Sequence, residues 1–434
     1  MTTQGDSSDA RVGRPEFLAW LTAFAGWTFD YYEIALMTFL VVPITAQYGL
    51  SDTQTAMLLS IQLLGIAVGG VVFGYLGDRI GRRRVLMITI AVFGLFTLAR
   101  GFVPGGAGGY VLLLVFGFLA ALGLGGEFGV GQSLVSEVMP PAKRGRWGAA
   151  LYSGAGVGLA GAALVGGYLL PVLGWRWVFV ISCIPIVLAI VARFSVPESE
   201  TWTHEQTGGA SPTIDWALVR SGAFVRPLVL CLTSCAISFF GFYGVASFLP
   251  TYLIEVQGFS FGRAAWFTVV VGASITAGAL AGGWCADRFG RRITWAGMAI
   301  VATSGAVMLG GIFLADVVSP VALLPVFVMY FGTSGGAALF GLVFAEQFPT
   351  RVRSLGVGTA LQVGRGLSFF PPLIAAAVYP VYGYAPLVFG AAVLFAVLAL
   401  LGRAFTEGRG RTIADIDTDF DSQPHTAPTR SAHV

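Results

Sequence analysis

Gly74-Tyr75-Leu76-Gly77-Asp78-Arg79-Ile80-Gly81-Arg82-Arg83 recurs 209 residues later as Gly283-Trp284-Cys285-Ala286-Asp287-Arg288-Phe289-Gly290-Arg291-Arg292. The same offset relates Glu137, Pro140 and Arg144 to Glu346, Pro349 and Arg353. It also relates Gly49 and Ser51 to Gly258 and Ser260, and Gly123 and Gly126 to Gly332 and Gly335. Four unlinked matches at one offset are hard to reach by chance. They read as two diverged copies of one unit.

Each copy is strongly apolar. Of 434 residues, 56% are apolar and 11% are charged, against roughly 25% charged in soluble domains. A soluble protein of this composition could not cover its surface with polar groups. The 60 glycines show no every-third pattern, which excludes collagen, and the hydrophobicity excludes disorder. An all-α, polytopic membrane protein remains. A spanning helix needs about 20 predominantly apolar residues. Twelve such segments are found, at 17–42, 54–77, 84–103, 110–138, 146–172, 175–195, 226–250, 264–286, 293–314, 321–348, 354–379 and 383–405. The expected organisation is a tail over 1–16, a six-helix half over 17–195 and a polar loop over 196–225. A second six-helix half follows over 226–405, then a tail over 406–434.

Basic residues set the expected orientation, because cytoplasmic loops carry the excess of Lys and Arg. With both termini inside, 21 basic residues fall on the cytoplasmic side, and only Arg100, Arg176 and Arg263 fall near the outer side. The expectation is a multi-pass protein of the cell (inner) membrane. The net charge of +3 calls for no nucleic acid. Cys183, Cys231, Cys235 and Cys285 all lie in apolar runs, so free, packed thiols are expected. Residues 1–16 lack the layout of a signal peptide.

Ionisable groups inside a span are costly, and are functional candidates by default. Asp30, Glu33, Glu127 and Arg365 stand out. Their counterparts at the repeat offset are Phe239, Phe242, Gly336 and Gly156, so these charges are a specialisation laid over the shared scaffold. At about 1.5 Å per residue, Asp30 lies about 20 Å from the cytoplasmic helix end, Glu127 about 18 Å and Arg365 about 17 Å. The hydrocarbon core is about 30 Å thick, so all three sit near its middle. Glu33 is one turn farther out and at i+3 shares a face with Asp30, which makes it a further proton-coupling candidate; the alternative is that it faces an outer vestibule. The three histidines fall outside the spans, so any proton carried must ride on Asp30, Glu33 or Glu127. Burial raises a carboxyl pKa and a nearby cation lowers it. Arg365 is the candidate for an anionic substrate. Gln362, three residues before it on the same face, is expected to share the ligand. Trp27, Tyr31 and Tyr243 suit a ring-bearing substrate.

With its loop motif and duplicated halves, the chain resembles the major facilitator superfamily across all twelve spans. The resemblance implies two six-helix halves around a midplane site. It makes Gly74, Asp78, Arg79, Gly81 and Arg82, with Gly283, Asp287, Arg288, Gly290 and Arg291, a gate at the cytoplasmic helix ends. It also implies that the glycine-rich second, fifth, eighth and eleventh helices pair across the interface of the halves. Trp27-Thr28-Phe29-Asp30-Tyr31-Tyr32-Glu33 resembles the acid-x-x-acid signature of proton symporters for aromatic acids and for sialate- or lactate-type acids. Tyr31 and Glu33 stand where the aromatic-acid group has glycine and aspartate. Gly123 to Gly129, with Glu137, Pro140 and Arg144, resembles the Gly-Gly-Glu-x-Gly stretch of sialate and metabolite symporters.

The leading expectation is a secondary transporter importing a small carboxylate with a proton, by alternating access and working as a monomer. No enzyme activity, cofactor or metal is expected. The rivals are an exporter of cationic or lipophilic compounds, against which Arg365 argues, and a non-transporting solute sensor.

Overall fold

A computed structural model describes residues 13–80, 82–138, 144–183, 216–315, 320–348 and 353–406. Among them every regular element is a helix. In the first half these are α1 (Arg14–Tyr48), α2 (Asp52–Ile80), α3 (Arg82–Arg100) and α4 (Ala107–Val138). Next come α5, over 144–173, and α6, described over 175–182. The second half holds α7 (222–256), α8 (Phe261–Phe289), α9 (Arg291–Leu314), α10 (323–345), α11 (353–382) and α12 (385–404). Most of the expected loop over 196–225, and the tails over 1–12 and 407–434, lie outside the described residues.

The duplication is visible in backbone geometry as well as in sequence. Gly49 ends α1 with φ 62°, and its counterpart Gly258 follows α7 with φ 64°. Gly174, between α5 and α6, has φ 77°, and Gly383, between α11 and α12, has φ 74°. Residues with a Cβ avoid this region, so both copies place a glycine where the chain reverses at the same end of the bundle. That end is called the far end below, and the other, which carries the duplicated loop, the motif end.

Glycines also set how closely the helices approach, as small residues do in membrane bundles. The expected pairing of α5 with α8 and of α2 with α11 across the halves is present, and part of their glycines serve it. Gly156 of α5 and Gly272 of α8 put backbone against backbone, so a Cβ on either would collide with the other's carbonyl. At the α2–α11 seam Gly70 makes room for the Gln362 side chain and Gly366 for the Ala67 Cβ. By contrast, Gly65 and Gly69 pack inside the first half on α4, and Gly278 and Gly282 inside the second on α10. Gly154 and Gly158 meet α1, and Gly356 and Gly364 meet Phe348 and Cys235. All four cysteines are free, with Cys231 and Cys235 buried.

At the motif end, the second copy of the loop ties helix ends together through its arginines. Arg291 Nε lies 2.8 Å from Glu346 Oε1 at the end of α10. Arg292 donates to the carbonyls of Phe405 and Arg403, at 2.5 and 3.0 Å, closing the end of α12. A cation there is favoured by the helix dipole. Asp287 and Arg288 are exposed, and Arg288 lies over the Trp284 ring at 5.4 Å. In the first copy Gly81 lies outside the described residues, as do the side chains of Asp78, Arg79 and Arg82 and the surroundings of Gly74.

Gly272→Leu is expected to lower stability by about 1–3 kcal/mol, the usual cost of overpacking, because it wedges α8 off α5. Gly358→Leu, at a position with open space, is expected to be tolerated. Thermal unfolding of the purified variants checks the contrast.

Candidate functional site

Helix α1 sorts its own side chains. At about 100° per residue, Trp27, Asp30 and Tyr31 share one face, while Glu33 lies about 120° round from Trp27, on the far flank of Asp30. The two acids therefore look toward different neighbours.

Asp30 meets Arg365 of α11. Arg365 Nη1 donates to Asp30 Oδ2 at 2.6 Å, and Nη2 to Oδ1 at 3.2 Å. This two-pronged geometry is the strong form of the guanidinium–carboxylate contact. Nη2 also lies 3.4 Å from the Tyr243 hydroxyl of α7. Asp30 is 1% exposed and Arg365 2%, so the pair is shut off from solvent and spans the two halves. The guanidinium carbon sits 5.0 Å from the Tyr31 ring, 5.4 Å from Trp27 and 5.9 Å from Phe239. Trp27 is itself held by its indole N–H donating to the Tyr152 carbonyl at 3.2 Å. Arg365 Nε is buried without a hydrogen-bond partner among the described residues, which leaves one donor of the fork open. Arg365 also sits in the last turn of Arg353–Gly366, where helical geometry tightens into the turn Leu367–Phe369 before Pro371 and Pro372.

A small cavity opens beside this cage. It is lined by Tyr31, Tyr152, Phe239 and Phe242 and by the hydroxyl residues Ser238, Thr333 and Ser334. Its volume is about 10 Å³, room for one water. Thr333 Oγ1 donates to the Met329 carbonyl and Ser334 Oγ to the Ile275 carbonyl, each at 2.8 Å. With their protons committed, these oxygens face a ligand as acceptors. A larger void of about 60 Å³ lies at the far end between the halves, and includes Thr45, Asp52, Tyr252, Glu255, Tyr379 and Tyr384.

Three residues are placed differently from the sequence expectation. Glu33 faces no vestibule; it is 2% exposed and paired inside its own half with Arg100. Arg100, counted among the outer charges, is also 2% exposed and points inward from the end of α3. Gln362 does not share a ligand face with Arg365. Its Nε2 donates to the Gly125 carbonyl of α4 at 2.8 Å, with its stem against Gly70, so it bridges the halves on the motif-end side of the charge pair. Glu127 follows two residues after Gly125 on α4, but its side chain lies outside the described residues. Sequence reasoning missed Arg100, Tyr152, Ser238, Thr333 and Ser334. Arg100 alone left a usable signal, an arginine with no other charge between Val85 and Gly101.

Comparison with known proteins agrees with this architecture. The sequence profile of the Major Facilitator Superfamily matches residues 17–371. The cis,cis-muconate transport protein of Acinetobacter baylyi is 30% identical over 382 residues, 84% of this chain and 88% of that protein. The niacin transporter NiaP of the same organism is 29% identical over 430 residues, 92% of this chain and 95% of that one. Among solved structures, a D-xylose–proton symporter superposes with a TM-score of 0.74 at 22% identity, covering 91% of this chain and 99% of that one.

Removing one partner of a buried pair strands a charge at a cost of about 3–5 kcal/mol, whereas removing both is far less costly. Asp30→Asn alone is therefore expected to lower the melting temperature of the purified protein. The double variant Asp30→Asn/Arg365→Gln is expected to recover most of the loss.

Proposed function

The chain belongs to the Major Facilitator Superfamily and is a multi-pass membrane transporter, not an enzyme; from that premise we propose that it imports a small organic anion, a monocarboxylate or aromatic carboxylate, together with a proton. One observation carries the reading: a buried, two-pronged ion pair joins a carboxylate of one half to a guanidinium of the other. Alternating access moves the halves relative to each other and must part the two. Each charge left alone in that setting is prohibitively placed. A substrate carboxylate on Arg365 and a proton on Asp30 replace the pair charge for charge.

The surroundings suit that exchange. The open Nε of Arg365 offers a further donor to an arriving carboxylate. Tyr31, Trp27 and Phe239 offer faces to a flat body, and Ser238, Thr333 and Ser334 accept from a polar group at its far end. Asp30 takes the proton, and Glu127, at similar depth, passes it toward the cytoplasm. Gln362 belongs to the closure on the motif-end side, together with the arginines of the duplicated loop. The coupling ion is the proton, the termini are cytoplasmic in the inner membrane, and the working unit is the monomer. The names of the relatives agree in kind, since muconate and niacin are small carboxylic acids. A cation exporter draws support from Asp52 and Glu255 in the far-end void, but the buried centre carries Arg365.

The test is uptake of labelled aromatic and aliphatic carboxylic acids into proteoliposomes, with and without an inward proton gradient. A monocarboxylate is expected to accumulate only with the gradient. One proton per monoanion makes uptake electroneutral, so a clamped membrane potential should leave it unchanged. Asp30→Asn is expected to abolish accumulation while leaving exchange. Uptake of no acid at all, or exchange unaffected by the gradient in the wild type, would sink the reading.

A further inference from the structure

Asp30 and Glu33 stand one turn apart on α1, yet only one of their pairs has to break when the halves move. Arg100 Nη1 donates to Glu33 Oε1 at 2.5 Å, and both residues belong to the first half. The guanidinium lies over the Phe179 ring of α6, 5.3 Å from its centre. It also rests against Gly117 of α4, where a Cβ would stand 2.9 Å from Nη2. The pair therefore ties α1 to α3 within a nest that α4 and α6 complete. Other titratable groups facing Glu33 are Tyr32 of its own helix and Cys183 at the end of α6. The Tyr32 hydroxyl is hydrogen-bonded to Ser182 Oγ at 2.8 Å, and the Cys183 thiol donates to the Gly94 and Phe179 carbonyls. Glu33 Oε2 is buried with no hydrogen-bond partner among the described residues. Arg100 is thus the cation that compensates this carboxylate.

The fold does not require a charge there. At the repeat offset the second half has Phe242 and Leu309, both buried and apolar. A buried ion pair gives little net stability over an apolar pair of similar volume, so its place in one half only points to a task. We propose that Arg100 is a positioning residue that acts through Glu33: it holds this carboxylate as a fixed anion and so leaves Asp30 as the one acid of α1 that exchanges a proton during transport. The inference rests on the proton-coupled reading above and refines it. The Glu33–Arg100 pair travels with its half through the whole cycle, while the Asp30–Arg365 pair opens and closes.

The experiment compares wild type, Arg100→Gln, the double variant Glu33→Gln/Arg100→Gln and Asp30→Asn in proteoliposomes. It reads initial rate against pH and the ratio of protons to labelled acid taken up. In Arg100→Gln, Glu33 has lost its cation and must itself take up a proton. Its pH profile is expected to move by a unit or more, with uptake falling about tenfold. The double variant carries no acid at position 33. It is expected to keep the wild-type profile and proton ratio even if its rate drops. A merely structural role would change rate or yield in Arg100→Gln and leave its pH profile in place, which overturns the proposal. So does a double variant that behaves like Asp30→Asn, exchanging without accumulation, because Glu33 would then be a carrier itself. Should Arg100→Gln fail to fold, the double variant decides alone. Wild-type uptake that ignores the gradient defeats the coupled reading and this inference with it. Coupled wild-type uptake with an uncoupled double variant defeats this inference only.

Discussion

A charge buried in the middle of a membrane bundle has to be matched, and the match must survive every state the protein visits. The Asp30–Arg365 contact is one such match, made across the two halves, and much of the surrounding structure follows from it. The rings of Trp27, Tyr31 and Phe239 exclude water, which strengthens the attraction while raising the penalty for separation. The helix carrying Arg365 tightens into the turn Leu367–Phe369 just beyond it and then continues. A site built this way is stable when closed and cannot open empty at low cost. On the proposed reading, that property links solute and proton, because both charges must be answered before the halves part.

The helix seams show how movement is kept compatible with such tight matching. Within each half, glycines bring backbones into contact along α2–α4 and α8–α10, so each half holds together as a unit. Between the halves glycines also permit close approach: Gly156 on Gly272, Gly167 on Ala265, Gly366 on Ala67 and Gly70 on Gln362. The Gln362–Gly125 hydrogen bond has a different character. It is a single neutral bond from α11 to α4, of the order of 1 kcal/mol net, and is easily exchanged for water when that end opens.

The architecture was legible because it is written in long-range features: twelve apolar runs, a constant repeat offset and a lopsided distribution of arginines. The meeting of Asp30 and Arg365 was approachable through depth alone, since both lie near the midplane of their helices. What the sequence withheld was side-chain direction. Gln362 and Arg365 are three apart and broadly share a face, yet about 60° of rotation sends one to the Gly125 carbonyl and the other to Asp30. Arg100 shows the same limit. An arginine at the end of an apolar helix reads equally as snorkelling outward or folding inward, and only the space left by Gly117 and the carboxylate of Glu33 decide for inward. Tyr152, Ser238, Thr333 and Ser334 were unreadable for another reason: single hydroxyls on apolar helices are common and carry no spacing.

The two halves share a backbone plan and divide the chemistry unequally. The first half holds the acids Asp30 and Glu33, and pairs Glu33 with its own Arg100. The second half holds the cation, Arg365, with the Tyr243 hydroxyl and the Ser238, Thr333 and Ser334 oxygens beside Phe239 and Phe242. On the proposed reading, an anion on Arg365 belongs to the second half and a proton on Asp30 to the first. On that reading, neither half carries an uncompensated charge when the halves part. A symmetric arrangement, with acid and arginine in both copies, would have left one matched pair straddling the interface whatever was bound. Placing Phe239 opposite Asp30 and Gly156 opposite Arg365 in the repeat removes that second lock, and among the described residues leaves the Asp30–Arg365 pair as the buried ion pair across the halves.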